Sequence, residues 1–391
     1  MVANESFFER RNAQAVLKHG LLARYAYYFA GRAGSATGGR VAFIDGYAGE
    51  GRYKDGSPGS PLLLASEAQR ATLIRRDVKL AFVEPDTTRR RRLADALVER
   101  TIVSDVLSGK SFESAVDSLL DRYANRAVLI FVDPFGLAIS FDTLVRVLRR
   151  SSPNQPIDVL YHFSLRTVAR MGRAAVAQSE PSPNAEQLDA ALGAVQWRQH
   201  FGYDGGDDGD ATRAAVAVAR DFGKLVDQVT NVPSLSIPVS HRPGHLPTYL
   251  LTLFSRDPVG RSRWDFADQA GKAYVDWLLH CETDDYEANM DALKASGVMR
   301  LFEVDERPTE SVVEAAIEGR AAQRLDEHLR DVFASQQELR VRDEVELVYG
   351  DLLGVARATH LRKAFKKLHD DGHLDDDLSG SFQNRVLHWR T

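Results

Sequence analysis

The sequence predicts an α/β fold, a parallel sheet with helices covering both faces, and three observations point to it. Short apolar runs recur along the first half of the chain, and most stop at an acidic residue. Each run is followed by a segment with helical spacing, and this alternation occurs five times. The runs are apolar throughout rather than alternating, as expected of strands buried on both faces.

Taken in order, residues 5–31 have apolar positions at helical spacing in "AQAVLKHGLLARYAYYFAG", and the Gly-rich "GRAGSATGG" ends that helix. "RVAFIDG" is the first strand and "SPLLLASEAQR" the next helix. "VKLAFVEP" is the second strand, and "DTTRRRRLADALVER" is a helix with Asp86 as its N-cap. "TIVSD" reads as a third strand ending at Asp105, followed by the helix "SFESAVDSLLDRYA". "RAVLIFVDP" is the fourth strand, "SFDTLVRVLRR" a helix, "PIDVLYHFS" the fifth strand, and "LRTVARMGR" opens another helix.

The pattern then breaks. Residues 174–210 are rich in Gly, Pro and polar residues and read as an insertion, either a substrate-facing lid or a surface excursion. "ATRAAVAVARDFGKLVDQVT" returns to helix, and "SLSIPVS" with "TYLLTLFSR" suits a hairpin at the sheet edge. The C-terminal residues have three amphipathic helix candidates and a short β segment, "HLDDDLSGSFQNRVLHWR". This resembles a winged helix-turn-helix with "THLRKAFKKLHDDG" in the recognition position, where Arg362, Lys363, Lys366 and Lys367 would share one side. Acidic Asp375, Asp376 and Asp377 oppose phosphate binding by that wing, so the module suits nucleic-acid contact or protein docking.

With 44% apolar and 27% charged residues the chain has globular composition. A net charge of -5 excludes a polycation, so any nucleic-acid contact must come from local basic runs. Those runs are "RRRR" at 89–92, "RVLRR" at 146–150 and "RTVARMGR" at 166–173. The single cysteine, Cys281, excludes an internal disulfide and a Cys-rich metal centre, and no metal is expected. No apolar run approaches the ~20 residues that span a bilayer, and the N-terminus lacks a secretory pattern, so no membrane contact and a cytoplasmic location are expected.

Ligands of such sheets bind beyond the C-terminal strand ends. After the first strand, "DGYAGEGRY" supplies Asp45, Gly46, Tyr47, Ala48, Gly49 and Gly51, with glycines that let backbone approach a ligand. The stretch is neither G-x-G-x-x-G nor a P-loop. It matches D-x-[FY]-x-G-x-G, and so resembles the loop that holds S-adenosylmethionine (SAM) in class I methyltransferases. Glu84, followed by Pro85, is placed to accept the ribose hydroxyls, and Asp105 with Val106 to meet the adenine. Asp133, Pro134 and Phe135 of "DPFG" carry the parts for methylating an exocyclic amine: a carboxylate and a carbonyl to accept its N–H groups, and a ring to stack on a flipped base. The competing reading is a turn in which Asp133 caps a helix and Phe135 is core. "DPFG" resembles the D-P-P-[YF] motif of adenine-N6 methyltransferases without the second proline, and is closer to that of tRNA guanine-N2 dimethyltransferases. No Pro-Cys pair exists to support base C5 methylation.

Further stretches, "LKHGLLARY", "FIDGYAGEGRYKDGSPGSPLL", "FVDPFG", "DVLYHFSLRTVAR", "YLLTLFSRDPVGRSRWDFAD" and "THLRKAFKKLHDDG", together resemble the three-Cys-motif partner protein family, across most of the chain outside 174–210. The resemblance implies a Rossmann-like class I methyltransferase sheet and SAM as cofactor, with a three-Cys-motif protein as a partner. Lys18, His19, Ser60, Gly136, His162, Ser164 and Arg166 are then substrate-side candidates; His162 departs from the family pattern. The domain organisation expected is an N-terminal helix over 1–32, a methyltransferase-like domain over 33–285, linker helices over 286–320 and the winged module over 321–391. The expected activity is SAM-dependent N-methylation of a base in RNA or DNA. The alternatives are a SAM-fold adaptor without catalysis, or a methyltransferase of a small molecule or protein.

Overall fold

The computed structural model describes residues 12–137, 139–177, 182–193, 195–201, 208–257, 260–295, 306–374 and 381–390. The chain divides into two compact units, one of residues 1–11 and 22–258, the other of 12–21 and 259–391. The sequence-based boundary is thereby corrected: residues 259–285, grouped with the first domain above, belong to the second unit.

The first unit is built on seven strands: β1 (Arg40–Asp45), β2 (Asp77–Val83), β3 (Val106–Ser108), β4 (Ala127–Val132), β5 (Ile157–Phe163), β6 (Ser234–Val239) and β7 (Tyr249–Ser255). They lie in the order β3-β2-β1-β4-β5-β7-β6, and every pair is parallel except those made by β7. α1 (Ala13–Ala36), in this unit from Leu22 on, precedes β1, and further helices lie between the strands: α2 (Ser60–Ala71), α3 (Thr87–Glu99), α4 (Phe112–Arg122), α5 (Phe141–Arg149), α6 (Leu165–Val176), α7 (Pro183–Leu192) and α8 (Asp208–Thr230). This is the predicted Rossmann-like sheet. The chain reverses direction across it between β1 and β4, so the loops after those two strands flank the crevice where such sheets bind ligands. The expected hairpin is present, with β6 at the edge, where Pro238 costs no ladder hydrogen bond on the outer side.

All six residues of β4 are buried, which explains its unbroken apolar run. Alternate strand residues such as Ile44, Val83, Ile130 and Val159 share one core with α4 to α8. Asp158 lies between two of those positions and therefore faces the other side, where α1 packs. It is a buried carboxylate with its acceptors in use. Oδ2 accepts from the Tyr25 hydroxyl at 2.6 Å and from Arg32 at 3.0 Å, and Oδ1 accepts from the Ser255 hydroxyl at 2.6 Å.

The stretch 174–210 is neither a lid nor a surface excursion in its described part. Leu188 and Leu192 of α7, with Trp197 and Phe201 beyond it, join the main core. The Trp197 indole N–H donates to Asp189 at 2.7 Å.

The second unit contains α9 (Arg261–Ala295), α10 (Glu310–Ser335), β8 (Glu338–Arg340), α11 (Val345–Tyr349), α12 (Ala358–Asp370) and β9 (Val386–His388). Helix α10 runs across the expected 320/321 boundary. β8 and β9 pair antiparallel, and Leu374 bridges to Trp389. Asp268 of α9 accepts the first free N–H of α12, from Ala358, at 3.0 Å. Asp375–Asp377, the acidic wing residues, lie outside the described residues. Among the described residues no helix is long and apolar enough to cross a membrane.

Asp158→Ala would remove the shared acceptor of Tyr25 and Ser255 and leave Arg32 with Asp257 as its remaining carboxylate. It should destabilise the first unit by about 1–3 kcal/mol, against about 1 kcal/mol for Tyr25→Phe, read from shifts in urea unfolding curves.

Candidate active site

Three strand ends bring polar groups to one edge of the sheet. β1 ends at Asp45, whose side chain is fully buried and whose Oδ1 accepts the Tyr47 N–H at 3.1 Å. The loop that follows is stitched to its neighbours on both sides. Gly46 N–H donates to Phe131 O of β4 at 2.9 Å, and Ala48 N–H to Val83 O of β2 at 3.0 Å. A β-carbon on Gly46 would stand 2.6 Å from the Phe112 ring, so only glycine lets the loop pass. Gly49 has φ +62, and no atom lies within 4 Å of where its β-carbon would be. The loop there borders open space. Beyond it, Gly59 N–H donates to Gly51 O at 2.8 Å, which sets Ser60, buried at the start of α2, against the loop.

Glu84 directly follows β2 and is buried. Its carboxylate accepts N–H bonds from Asp86, at 2.9 Å, and from Gly49. Burial pushes its pKa up, and those two N–H groups with the Arg89 charge offset part of the rise. A carboxylate has about four acceptor positions, so Glu84 retains capacity for further donors. Pro85 beside it is exposed. Tyr47, packed on Phe112, has its phenol pushed up by burial and then by Glu113.

Asp133 and Phe135 do not behave as an ordinary turn. The N-cap of α5 is Ser140, whose hydroxyl accepts from Thr143 N–H at 3.3 Å. Asp133 is therefore not the helix cap, and Phe135 is not core: it is 54% exposed. The Arg89 guanidinium lies 5.8 Å from the Phe135 ring centroid, in the range of a cation–π contact. Pro134 is buried, and Gly136, with φ +85, lets the chain turn away beneath Phe135. On the next strand, His162 Nδ1 is 3.7 Å from Asp133 Oδ1, and its ring is 4.2 Å from that of Tyr249 at the start of β7.

One sequence expectation changes here. Asp105 does not end β3 but precedes it. Its N–H donates to Leu80 O, three residues below the end of β2, and its carboxylate accepts from Arg122 at 2.8 Å and from Tyr123 at 2.9 Å. Those donors, Arg122 first, hold its pKa down. The group at the top of β3 is Ser108, whose carbonyl accepts Glu84 N–H at 3.0 Å; Val106 opens the strand. Lys18 and His19 are buried and belong to the second unit. Ser164 caps α6 through Thr167, and Arg166 stands exposed on the first turn of that helix.

No family model matches the chain, and no curated protein matches it. Among solved structures it is similar to a protein of Clostridium thermocellum assigned as an rRNA methylase, at 14% identity over 55% of this chain and 88% of that one, with a TM-score of 0.27. It is also similar to the plantazolicin methyltransferase BpumL in complex with SAH, at 10% identity over 62% and 85%, TM-score 0.31. A third is PKMT2 from Rickettsia typhi, at 12% identity over 62% and 56%, TM-score 0.27. TM-scores this low carry no argument, and the fold stands on the strand order and register given above.

Gly46→Ala should cost about 1–3 kcal/mol by forcing Phe112 aside. Thermal unfolding would show it as a lower melting temperature.

Proposed function

We propose that the protein is a SAM-dependent N-methyltransferase whose acceptor is an exocyclic amine of a nucleic-acid base. The observation that carries this reading is the pairing of Asp133 with exposed Phe135 at the end of β4, where neither side chain has the capping or core role of an ordinary turn. The residues present suit the cofactor. The Gly46–Gly51 loop borders open space at Gly49, and buried Glu84 beside it keeps acceptor capacity for a ribose diol. Asp105 is left out of this assignment, because Arg122 and Tyr123 occupy it.

The cofactor would supply an electrophilic methyl group. The chain's own residues prepare the acceptor. In our reading the Asp133 carboxylate and the Pro134 carbonyl accept the two N–H groups of the target amine and turn its lone pair out of conjugation with the ring. Phe135 gives the base a face to stack on, and Arg89 limits the ring's rotation from its other side. His162 lies within reach to orient Asp133, and Tyr249 backs the imidazole. We read residues 321–391, part of the second unit, as the winged-helix-like module of the sequence analysis. Three of the four basic residues on that side of its α12 are engaged, Lys363 with Glu318, Lys366 with Asp370 and Lys367 with Asp326, while Arg362 lies over the Phe382 ring. That pairing favours protein docking by α12, in keeping with a three-Cys-motif partner.

Asp133→Asn replaces one acceptor by a donor. It should lower methyl transfer from labelled SAM to cellular RNA or DNA by about a hundredfold or more, with unchanged SAM affinity in calorimetry. No SAM binding by the wild type would sink the proposal, and transfer to protein alone would replace its substrate.

Glu84 takes up a proton at a higher pH than an ordinary carboxylate. Its acceptor function is complete above that pKa and is lost as pH falls through it. SAM affinity should therefore decline on mild acidification, and Glu84→Gln should bind more weakly with a flatter pH profile, both measured by calorimetry across pH.

A further inference from the structure

Besides the SAM crevice, the first unit has a cleft of about 690 Å³ between α6, the segment joining β6 to β7, and the first turn of α8. Arg166, Arg170 and Arg173 form one wall, His241 and His245 the opposite one, and Thr212 contributes from α8. Among the described residues that line it, none is acidic. The arginines follow at i, i+4 and i+7, so they share a helix face and span about 10 Å along it at 1.5 Å per residue. Burial, and then the charge of Arg166, push the His241 pKa down, a sign of positive charge concentrated in the cleft.

The cleft also differs from the other basic runs of the chain. In the run 89–92, Arg90 donates to the carbonyls of Glu84 and Pro85, and Arg92 to Glu50 at 2.6 Å. In 146–150, Arg146 pairs with Asp117, Arg149 donates to Val229 O, and Arg150 pairs with Asp121. Arg166 and Arg170 form no ion pair with any described residue, and both are exposed. Positive charge held near other positive charge, as at Arg166 and Arg170, is the arrangement that favours a polyanion.

The cleft opens on the sheet edge that carries the candidate active site. Arg166 stands two residues after the cap of α6, and its N–H donates to Thr248 O at 3.2 Å. Thr248 leads directly into Tyr249, whose ring meets His162, and His162 meets Asp133.

We infer that this cleft binds successive phosphates of the nucleic-acid strand whose base is presented to Asp133; the assignment rests on the base-methylation reading above. Arginine suits the task, because its planar fork pairs with phosphate oxygens in a bidentate way. A single strand is the form expected, since a base within a duplex must leave the stack before its amine can be reached.

The test measures binding of fluorescently labelled single-stranded RNA and DNA oligonucleotides by anisotropy across a series of salt concentrations. Each phosphate contact on a single strand contributes about 0.7 to the slope of log affinity against log salt. The double variant Arg166→Gln/Arg170→Gln should therefore lose about 1.4 from the wild-type slope. Arg166→Lys/Arg170→Lys should restore most of it, and Arg220→Gln, outside the cleft, should leave it unchanged. Failure of the wild type to bind either oligonucleotide, or an unchanged slope in the Gln double variant, overturns the assignment. Calorimetry with SAM on the same samples separates the two ideas. Absence of SAM binding removes the methyltransferase reading, whereas SAM binding with an unmoved slope removes only the cleft.

Discussion

A parallel sheet buried on both faces has almost nowhere to keep a polar side chain except at the ends of its strands, and the rest of this molecule follows from that constraint. β4 has no exposed residue, and β1 has one, at its start. A charge within such a sheet must bring its own solvation. Asp158 does so through Tyr25, Arg32 and Ser255, and in the process it ties α1 and β7 to β5. Asp45, Glu84 and Asp133 escape the same penalty by standing where the strands stop and backbone N–H groups or open space become available. Because β1, β2 and β4 run in one direction, those carboxylates collect on a single edge without any dedicated device to gather them.

The same constraint explains how much of the fold was legible beforehand. "RVAFID" and "AVLIFV" are apolar almost from end to end because they are central strands, and "IDVLYHF" keeps the pattern except at Asp158 and His162; all three end within a residue or two of where the sequence puts them. β3 is short, only half-buried and at the edge of the sheet, so burial imposes little pattern on it. Asp105 was consequently taken for its last residue when it precedes the first. The segment 174–210 misled for the opposite reason. Its Gly and Pro content marks the turns correctly, but "LDAALGAVQW" also has apolar residues at helical spacing, and these enter the core. The division between units falls just before α9, and no charge run or change of composition near residue 258 marks it in the sequence.

At the site, local motifs found the loops but not the groups that reach them from elsewhere. Gly46, Gly49 and Glu84 could be read from single stretches, since each directly follows its own strand. Tyr249, His241 and His245 could not. They reach the same edge only because β7 runs antiparallel to β5 and begins where β5 ends, a pairing that no short pattern encodes. The capping role of Ser140 was equally hidden in the sequence. It matters because a cap seven residues beyond Asp133 releases that carboxylate from the structural duty an acidic residue after a strand often has.

Basic residues make the complementary point. Arginine density in the sequence located several possible phosphate contacts, and the structure separates them by what each guanidinium touches. Arg90 and Arg92 on α3 and Arg146 and Arg150 on α5 fasten loops and helices to one another through carbonyls and carboxylates, and such contacts would have to break before a ligand could use them. The lysines of α12 are similarly engaged. Along α6 arginines face a cleft with no acidic residue among its described lining, and α6 leaves the sheet beside His162. Charge that serves the fold is neutralised within it. Charge that remains concentrated raises the cost of the folded state, and a polyanion is the class of ligand that would recover that cost.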